Sequence, residues 1–501
     1  SLSSLNASNL GSGTVATARL GSGSASSSTF LRGDGSWATA GGLSSDSQKN
    51  TVGGTNAGSS FSGTSATNNT LIGYDAGTAV TTGDYNVALG SYAGQDITTG
   101  VNNVFIGYQS GYYITEGTDN VAIGKEAFKA GVALGGGDRN VMIGLGAGYQ
   151  TSGNNNTIVG CQAAYQREGN SSGTIIGFKA GYSSHSNNTT LLGQQAGYND
   201  DGIYNTYIGD SCGHGQGSGM YNIGIGYQAL QYSYGGTKNG NNNIGIGKHS
   251  LQYYLTSGTE NVCMGTETGL ALSSGSKNLM FGYQAGRECG TGYANIFLGY
   301  QAGERTTTGY NNIAIGEDAY ASSVNNKTGN NNILIGRQAG TASSSAHNNI
   351  LMGQTCGNSI TSGHNNVCLG NDHGNQMTTG HNNITFGNRA AKSITTGYNN
   401  IYMGEEAGYG FVTNTSNNNI ALGKQSGTGN TSGSSNIMLG VFAGRSISTG
   451  NYNICIGSEA GQSNSPSGQI STGSNIICLG NNSTTDLYCN DTSISSSDKR
   501  D

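Results

Sequence analysis

Apolar and polar positions along this chain repeat one phrase: a polar Asn, three mostly apolar residues, then a Gly. The closing Gly falls at Gly73, Gly90, Gly107 and Gly124 and recurs at Gly282, Gly299, Gly316, Gly353, Gly370, Gly387, Gly404 and Gly457, with a dominant step of about 17 residues. The consensus is Thr-Gly-x-Asn-Asn-Ile-x-Ile-Gly-x-x-Ala-Gly-x-x-x-Thr; Thr379 to Gly387 and Thr396 to Gly404 follow it closely, and Asn50 to Gly58 is a degraded first copy. Each copy offers one short β segment bounded by Gly and Asn, too small to fold alone but able to stack on its neighbours. Helices are excluded, because Gly and Asn recur too often for a helix interior. The pattern predicts an all-β fold: a parallel β-solenoid, or β-roll, of about 24 coils of 17 residues over 49–482. A Ser/Gly-rich segment, 1–48, precedes it and a tail, 483–501, follows. At a coil spacing of about 4.8 Å such a rod is on the order of 110 to 120 Å long.

Individual slots have distinct expected tasks. The Asn four residues before the closing Gly (Asn86, Asn103, Asn120, Asn312, Asn383, Asn400) is expected to stack on its counterparts as an amide ladder. Gly90, Gly107, Gly124, Gly387 and Gly404 mark corners with φ > 0, and Thr-Gly marks the remaining turn. The middle slot of the triplet is apolar as well, as in Phe105, Leu334, Cys368 and Met438, so both faces of the strand are predicted to be buried. One face fills the coil and the other, the middle-slot column, needs a second surface, for which a parallel homotrimer is the simplest closed arrangement. Longer steps near 131–139, 232–241, 320–330, 408–418 and 462–475 predict surface loops, where a ligand would first be sought.

Composition narrows the classes. With 88 Gly, one Pro and 10% charged residues, the chain is neither an ordinary globular domain nor a collagen. Its regularly placed Ile, Val, Leu and Tyr argue against disorder. The net charge of -6 and the lack of any Lys/Arg run longer than a pair remove nucleic acid and anionic membranes as partners. No apolar run approaches the roughly 20 residues of a membrane span, and the first residues lack signal-peptide character, so no membrane insertion is expected. Of nine Cys, four (Cys263, Cys368, Cys455, Cys478) occupy the middle slot and read as free, buried thiols.

Two kinds of resemblance follow from particular residues. Asn120-Val121-Ala122-Ile123-Gly124 and Asn312-Ile313-Ala314-Ile315-Gly316 resemble the stacked units of the left-handed β-roll in trimeric autotransporter adhesin heads, although the coil here is longer. The stretches Asn9 to Thr14, Thr17 to Gly23 and Thr29 to Trp37 resemble segments of phage tail-fibre proteins that lie between the virion-attachment end and the repeats. At the other end, Ser497, Asp498 and Arg500 resemble the Ser-Asp-x-Arg-x-Lys junction before the self-cleaving intramolecular chaperone of tail fibres and tailspikes. The family's catalytic Lys would fall just past Asp501, so Ser497 and Asp498 mark a cleavage junction rather than a protease. The resemblance implies a non-enzymatic, homotrimeric virion fibre, extracellular, that contacts virion or tail proteins through its N-terminal region and a host-surface glycan or protein elsewhere.

Other chemistry is weakly signalled. His347, His364 and His381 share one phase on successive coils and form a candidate metal column, with Tyr310 and Tyr398 in the same slot. Adjacent acidic pairs, Glu405-Glu406, Glu317-Asp318 and Asp200-Asp201, are the candidates for a glycan-cleaving tailspike, the alternative reading. Tyr74, Tyr108, Tyr227, Tyr283 and Tyr300 each follow the closing Gly and serve either as sugar platforms or as packing for the next coil. A monomeric ice- or surface-binding solenoid, which would require a flat Thr face, is a third class. No cofactor is expected.

Overall fold

The computed structural model describes residues 29–31, 37–39, 43–130, 136–167, 169, 171–215, 217–232, 239–253, 257–321, 327–410 and 414–486. The chain divides into two compact units, Ser1–Asn187 and Asn188–Asp501. In the first, β1 (Thr29–Leu31) and β2 (Trp37–Thr39) form an antiparallel hairpin, and β3 (Ser44–Ser45) pairs antiparallel with β4 (Thr51–Gly53). From β4 onward the pairing is parallel and in register through β5 (Thr70–Ile72), β6 (Val87–Leu89), β7 (Val104–Ile106), β8 (Val121–Ile123), β9 (Val141–Ile143), β10 (Thr157–Val159) and β11 (Thr174–Ile176). The second unit carries a ladder of the same kind from β12 (Thr190–Leu192) to β28 (Ile477–Leu479).

Every strand of both parallel ladders is three residues long and sits on the repeat's apolar triplet. From β4 to β28, strand starts lie 16 to 20 residues apart at 22 of 24 steps, so the predicted all-β parallel solenoid holds, with about 22 regular coils rather than about 24. No helix is present among the described residues. Four of the five predicted insertions contain residues outside the described set. The fifth, 462–475, is built of turns, with the Ser465 hydroxyl bonded to the backbone oxygens of Gln462 (2.8 Å) and Gly468 (3.1 Å).

The closing glycines are required twice over. Gly90, Gly107 and Gly124 have φ of 135°, 128° and 133°, in a region that side chains disfavour. A Cβ on Gly90 would also lie 2.7 Å from the Gly107 carbonyl oxygen, and one on Gly387 2.5 Å from that of Gly404. Successive corners therefore stack backbone on backbone.

The core corrects the expectation that the middle slot needs a partner chain. Phe105, Leu334 and Met438 are fully buried within the single chain, as are the Ala that follows the corner, such as Ala339 or Ala443, and the residue seven before the strand, such as Ile97 or Ile360. A strand's side chains alternate, so turning the middle slot inward turns the two flanking slots outward. Those slots carry the uncovered apolar surface: Leu89 is 44% exposed, Leu192 43% and Ile477 68%.

Candidate functional site

The most ordered polar feature of the molecule is the Asn ladder, and its geometry explains why no other residue serves. Asn103 donates its backbone N–H (3.0 Å) and its Nδ2 (3.0 Å) to Asn86 Oδ1, and a second Nδ2 proton to the Gly117 carbonyl (2.7 Å). Its own Oδ1 accepts from the backbone N–H (3.1 Å) and Nδ2 (3.0 Å) of Asn120. Every donor and acceptor of a fully buried amide is thus used, which removes the cost of burying it. Asn312, Asn383 and Asn400 repeat the arrangement in the second unit.

Such a column has a direction: Nδ2 is left over at its first member and Oδ1 at its last. In the first unit Asn50, the first member, donates to Asp46 Oδ2 at 2.8 Å. That bond is the main influence holding the Asp46 carboxyl below its ordinary value. The last member, Asn156, accepts at its Oδ1 from the guanidinium of Arg167 (2.9 Å) and from the backbone N–H of Gly173, which stands where the next Asn would be. Arg167 also bonds the Ser186 carbonyl and is completely buried. In the second unit Asn205 donates to buried Asp200 (3.1 Å), and the final Asn453 accepts from the backbone of Ile476 (3.0 Å). Neither the carboxylate starts nor Arg167 is visible in the repeat consensus. The signal was the absence of Asn at Gly173, one coil after Asn156.

Two more buried bases interrupt the pattern in the second unit. Lys327 places Nζ 2.6 Å from the Tyr320 carbonyl, 3.0 Å from that of Thr341 and 4.1 Å from the centre of the Tyr320 ring. Burial drives its amine well below its ordinary value. His373 takes the slot that other coils give to Ala; its Nδ1 lies 2.8 Å from the Gly387 oxygen, and burial lowers it to about 4.

The predicted His column exists, with its ring faces turned to one another. His347, His364 and His381 stack at 4.9 Å with planes within 5°, and Tyr398 continues the column at 5.0 Å. Imidazole lone pairs lie in the ring plane, so parallel rings aim them side by side instead of converging on one ion at about 2.1 Å. Among the described residues no cluster of three or more His, Cys, Asp or Glu is placed to hold a metal. Tyr283 and Tyr300 likewise stack at 5.2 Å and 16°. One region differs. Tyr92 meets Tyr74 at 5.4 Å and 76°, Tyr108 at 5.9 Å and 89°, and Tyr112 at 6.1 Å and 59°.

The acidic pairs separate. Glu405 binds Lys424 (2.9 Å) and Glu406 binds Arg389 (2.9 Å), partners on opposite neighbouring coils. Glu317 lies 3.9 Å from Arg337, and Asp200 serves the Asn ladder. The eight described cysteines, Cys263, Cys368, Cys455 and Cys478 among them, are free thiols. Burial raises Cys455 to about 12, an inert rather than nucleophilic state. Ser497 and Asp498 lie outside the described residues.

Compared with protein-family models and with curated proteins, the chain matches neither a family model nor a curated protein.

Proposed function

We propose that this protein is a structural and adhesive fibre subunit: a homotrimeric virion fibre of the phage tail-fibre kind, extracellular, attached at its N-terminal region to virion or tail proteins and directed at a host surface. One observation carries the reading. In the second unit's 17 strands the two outward slots offer 34 positions, of which 32 are Ile, Val, Leu, Met or Phe and the other two are Thr190 and Thr206. An uncharged apolar strip of that extent calls for a cover. A covering surface that meets every coil must share the repeat of about 4.8 Å, and an identical chain lying parallel has it by construction. The resemblance of the repeats to adhesin heads and of the ends to tail fibres supports the same assignment.

The hydrolytic alternative finds less support, since Glu405 and Glu406 are tied to different cations. A flat hydroxyl face is also weakened: the first Thr of each turn donates into the next coil, as from Thr361 Oγ1 to the Thr378 carbonyl (3.0 Å) and from Thr378 to Thr395 (3.2 Å). Mass measurement of the full chain under native conditions tests the fibre. Three copies are expected, and charges introduced by Ile315→Lys and Ile335→Lys should reduce the assembly to single chains; a monomer of the unaltered protein overturns the proposal.

A further inference from the structure

Tyr74, Tyr92, Tyr108 and Tyr112 differ from the stacked columns, including that of Tyr149, Tyr165 and Tyr182 in the same unit, in a way that bears on adhesion. A ring held in a column along the ladder shows its edge sideways, because its faces meet the rings above and below. This is the condition of Tyr283 with Tyr300 and of Tyr293 with Tyr310, at 5.2 and 4.7 Å and interplanar angles of 16° and 5°. Tyr92 stands nearly perpendicular to both Tyr74 and Tyr108, so the three ring normals cannot all run along the ladder. At least one face must be turned sideways, where an extended ligand lying on the surface would meet it.

The surroundings give that ligand its chemistry. Tyr74 and Tyr108 are 48% and 44% exposed, and each ring combines an apolar face with a hydroxyl. Asp75 borders Tyr92 and Asp96 borders Tyr112: burial first, and then these carboxylates among other neighbours, raise both phenols above their ordinary values. The nearby cation Lys129 is held by Gln109 (2.9 Å) and Glu126 (3.9 Å) and lies over Tyr112 at 5.7 Å, and Lys125 lies over Tyr108 at 5.9 Å. Aromatic rings bordered by carboxylates, an amide and two single lysines, one of them paired with Glu126, carry charges of both signs with neither in excess, which matches a chain of sugars that offers C–H faces and hydroxyls but no charge. From this geometry we infer that Tyr74, Tyr92, Tyr108 and Tyr112 form a binding surface for neutral oligosaccharide. The inference rests on the adhesive fibre reading and gives its ligand class and location.

The test uses the full chain on an immobilised array of neutral and acidic bacterial surface oligosaccharides. The unaltered protein should be retained by neutral members, and Tyr92→Ala with Tyr108→Ala should weaken that retention at least tenfold. Tyr92→Phe with Tyr108→Phe keeps the ring faces and should stay within about threefold, which separates lost contact from lost folding. Tyr283→Ala with Tyr300→Ala, in the stacked column, should change retention less than about twofold. Retention by no neutral member, undiminished retention in the first variant, or equal loss in the stacked-column variant overturns the inference. Native mass is read on the same samples: a trimer without retention sinks the sugar surface alone, whereas a monomer of the unaltered protein sinks the fibre.

Discussion

The two units use one coil and close it differently. In the first, seven asparagines from Asn50 to Asn156 form a ladder that a buried guanidinium ends; in the second, fifteen from Asn205 to Asn453 run without a break and end on a backbone N–H. The difference teaches that the repeat is self-sufficient only in its interior. An interior Asn is satisfied by its two neighbours, so any coil lacking one must import a polar group, and Arg167 is that import.

The comparison breaks first at an interior rung. Replacing Asn103 or Asn366 by Leu orphans two donors on the next Asn and the carbonyl of Gly117 or Gly380, at about 1–3 kcal/mol per orphaned group. A loss of roughly 3 kcal/mol or more is expected in either unit, read by urea unfolding with hydrogen exchange to localise it. Similar losses at the two sites would show that interior rungs are equivalent whatever ends the ladder. A smaller loss is expected at the end of the first ladder: Arg167→Ala should destabilise the first unit by about 2 kcal/mol. Arg167→Ile together with Gly173→Asn rebuilds the ordinary coil and should recover most of that, because the three atoms nearest a Cβ on Gly173 all belong to the Arg167 guanidinium, the first at 2.6 Å. If the double change is no better than the single one, Arg167 is not standing in for Asn.

The units should also separate by pH. His373 belongs to the second unit, and its folded value of about 4 lies below the ordinary 6.5. Below pH 6.5 the unfolded chain takes up a proton that the buried ring refuses, so stability is full above that pH and falls toward pH 4, by on the order of 2 kcal/mol. His373→Ala should flatten the slope, whereas an unchanged slope would move the effect to other groups. The least effect is expected at the surface: Arg337→Ala removes a 3.9 Å pair with Glu317 whose side chains are about half exposed, and should cost less than 0.5 kcal/mol.

Much of this was legible from residues alone. The period, the strand positions, the Asn ladder and the glycine corners all follow from one repeated phrase, because each is enforced by contact with an identical coil. The facing of the strand was misjudged, although a clue was present. The middle slot ranges from Gly224 and Gly245 to Phe105 and Phe297, while the flanking slots are nearly uniform aliphatics. Variable size is the mark of an interior that compensates locally: a Cβ on Gly224 would lie 2.7 Å from Cys212 Sγ. Arg167, Lys327 and His373 were not legible as buried groups, since a consensus averages out the single coils that depart from it. Nor does the repeat announce the division after Asn187. The histidine column was found in sequence, but ring orientation, which decides between ligation and stacking, depends on side-chain torsions that spacing does not carry.

The polarity of the amide column has a consequence for how such a protein can change length. An interior coil hands on what it receives, so duplicating or deleting one in the gene leaves no bond unmatched and both termini of the column undisturbed. Only its first and last members need specialised residues, and those are the positions at which selection should tolerate least, while the number of coils between them is free to drift like links in a chain.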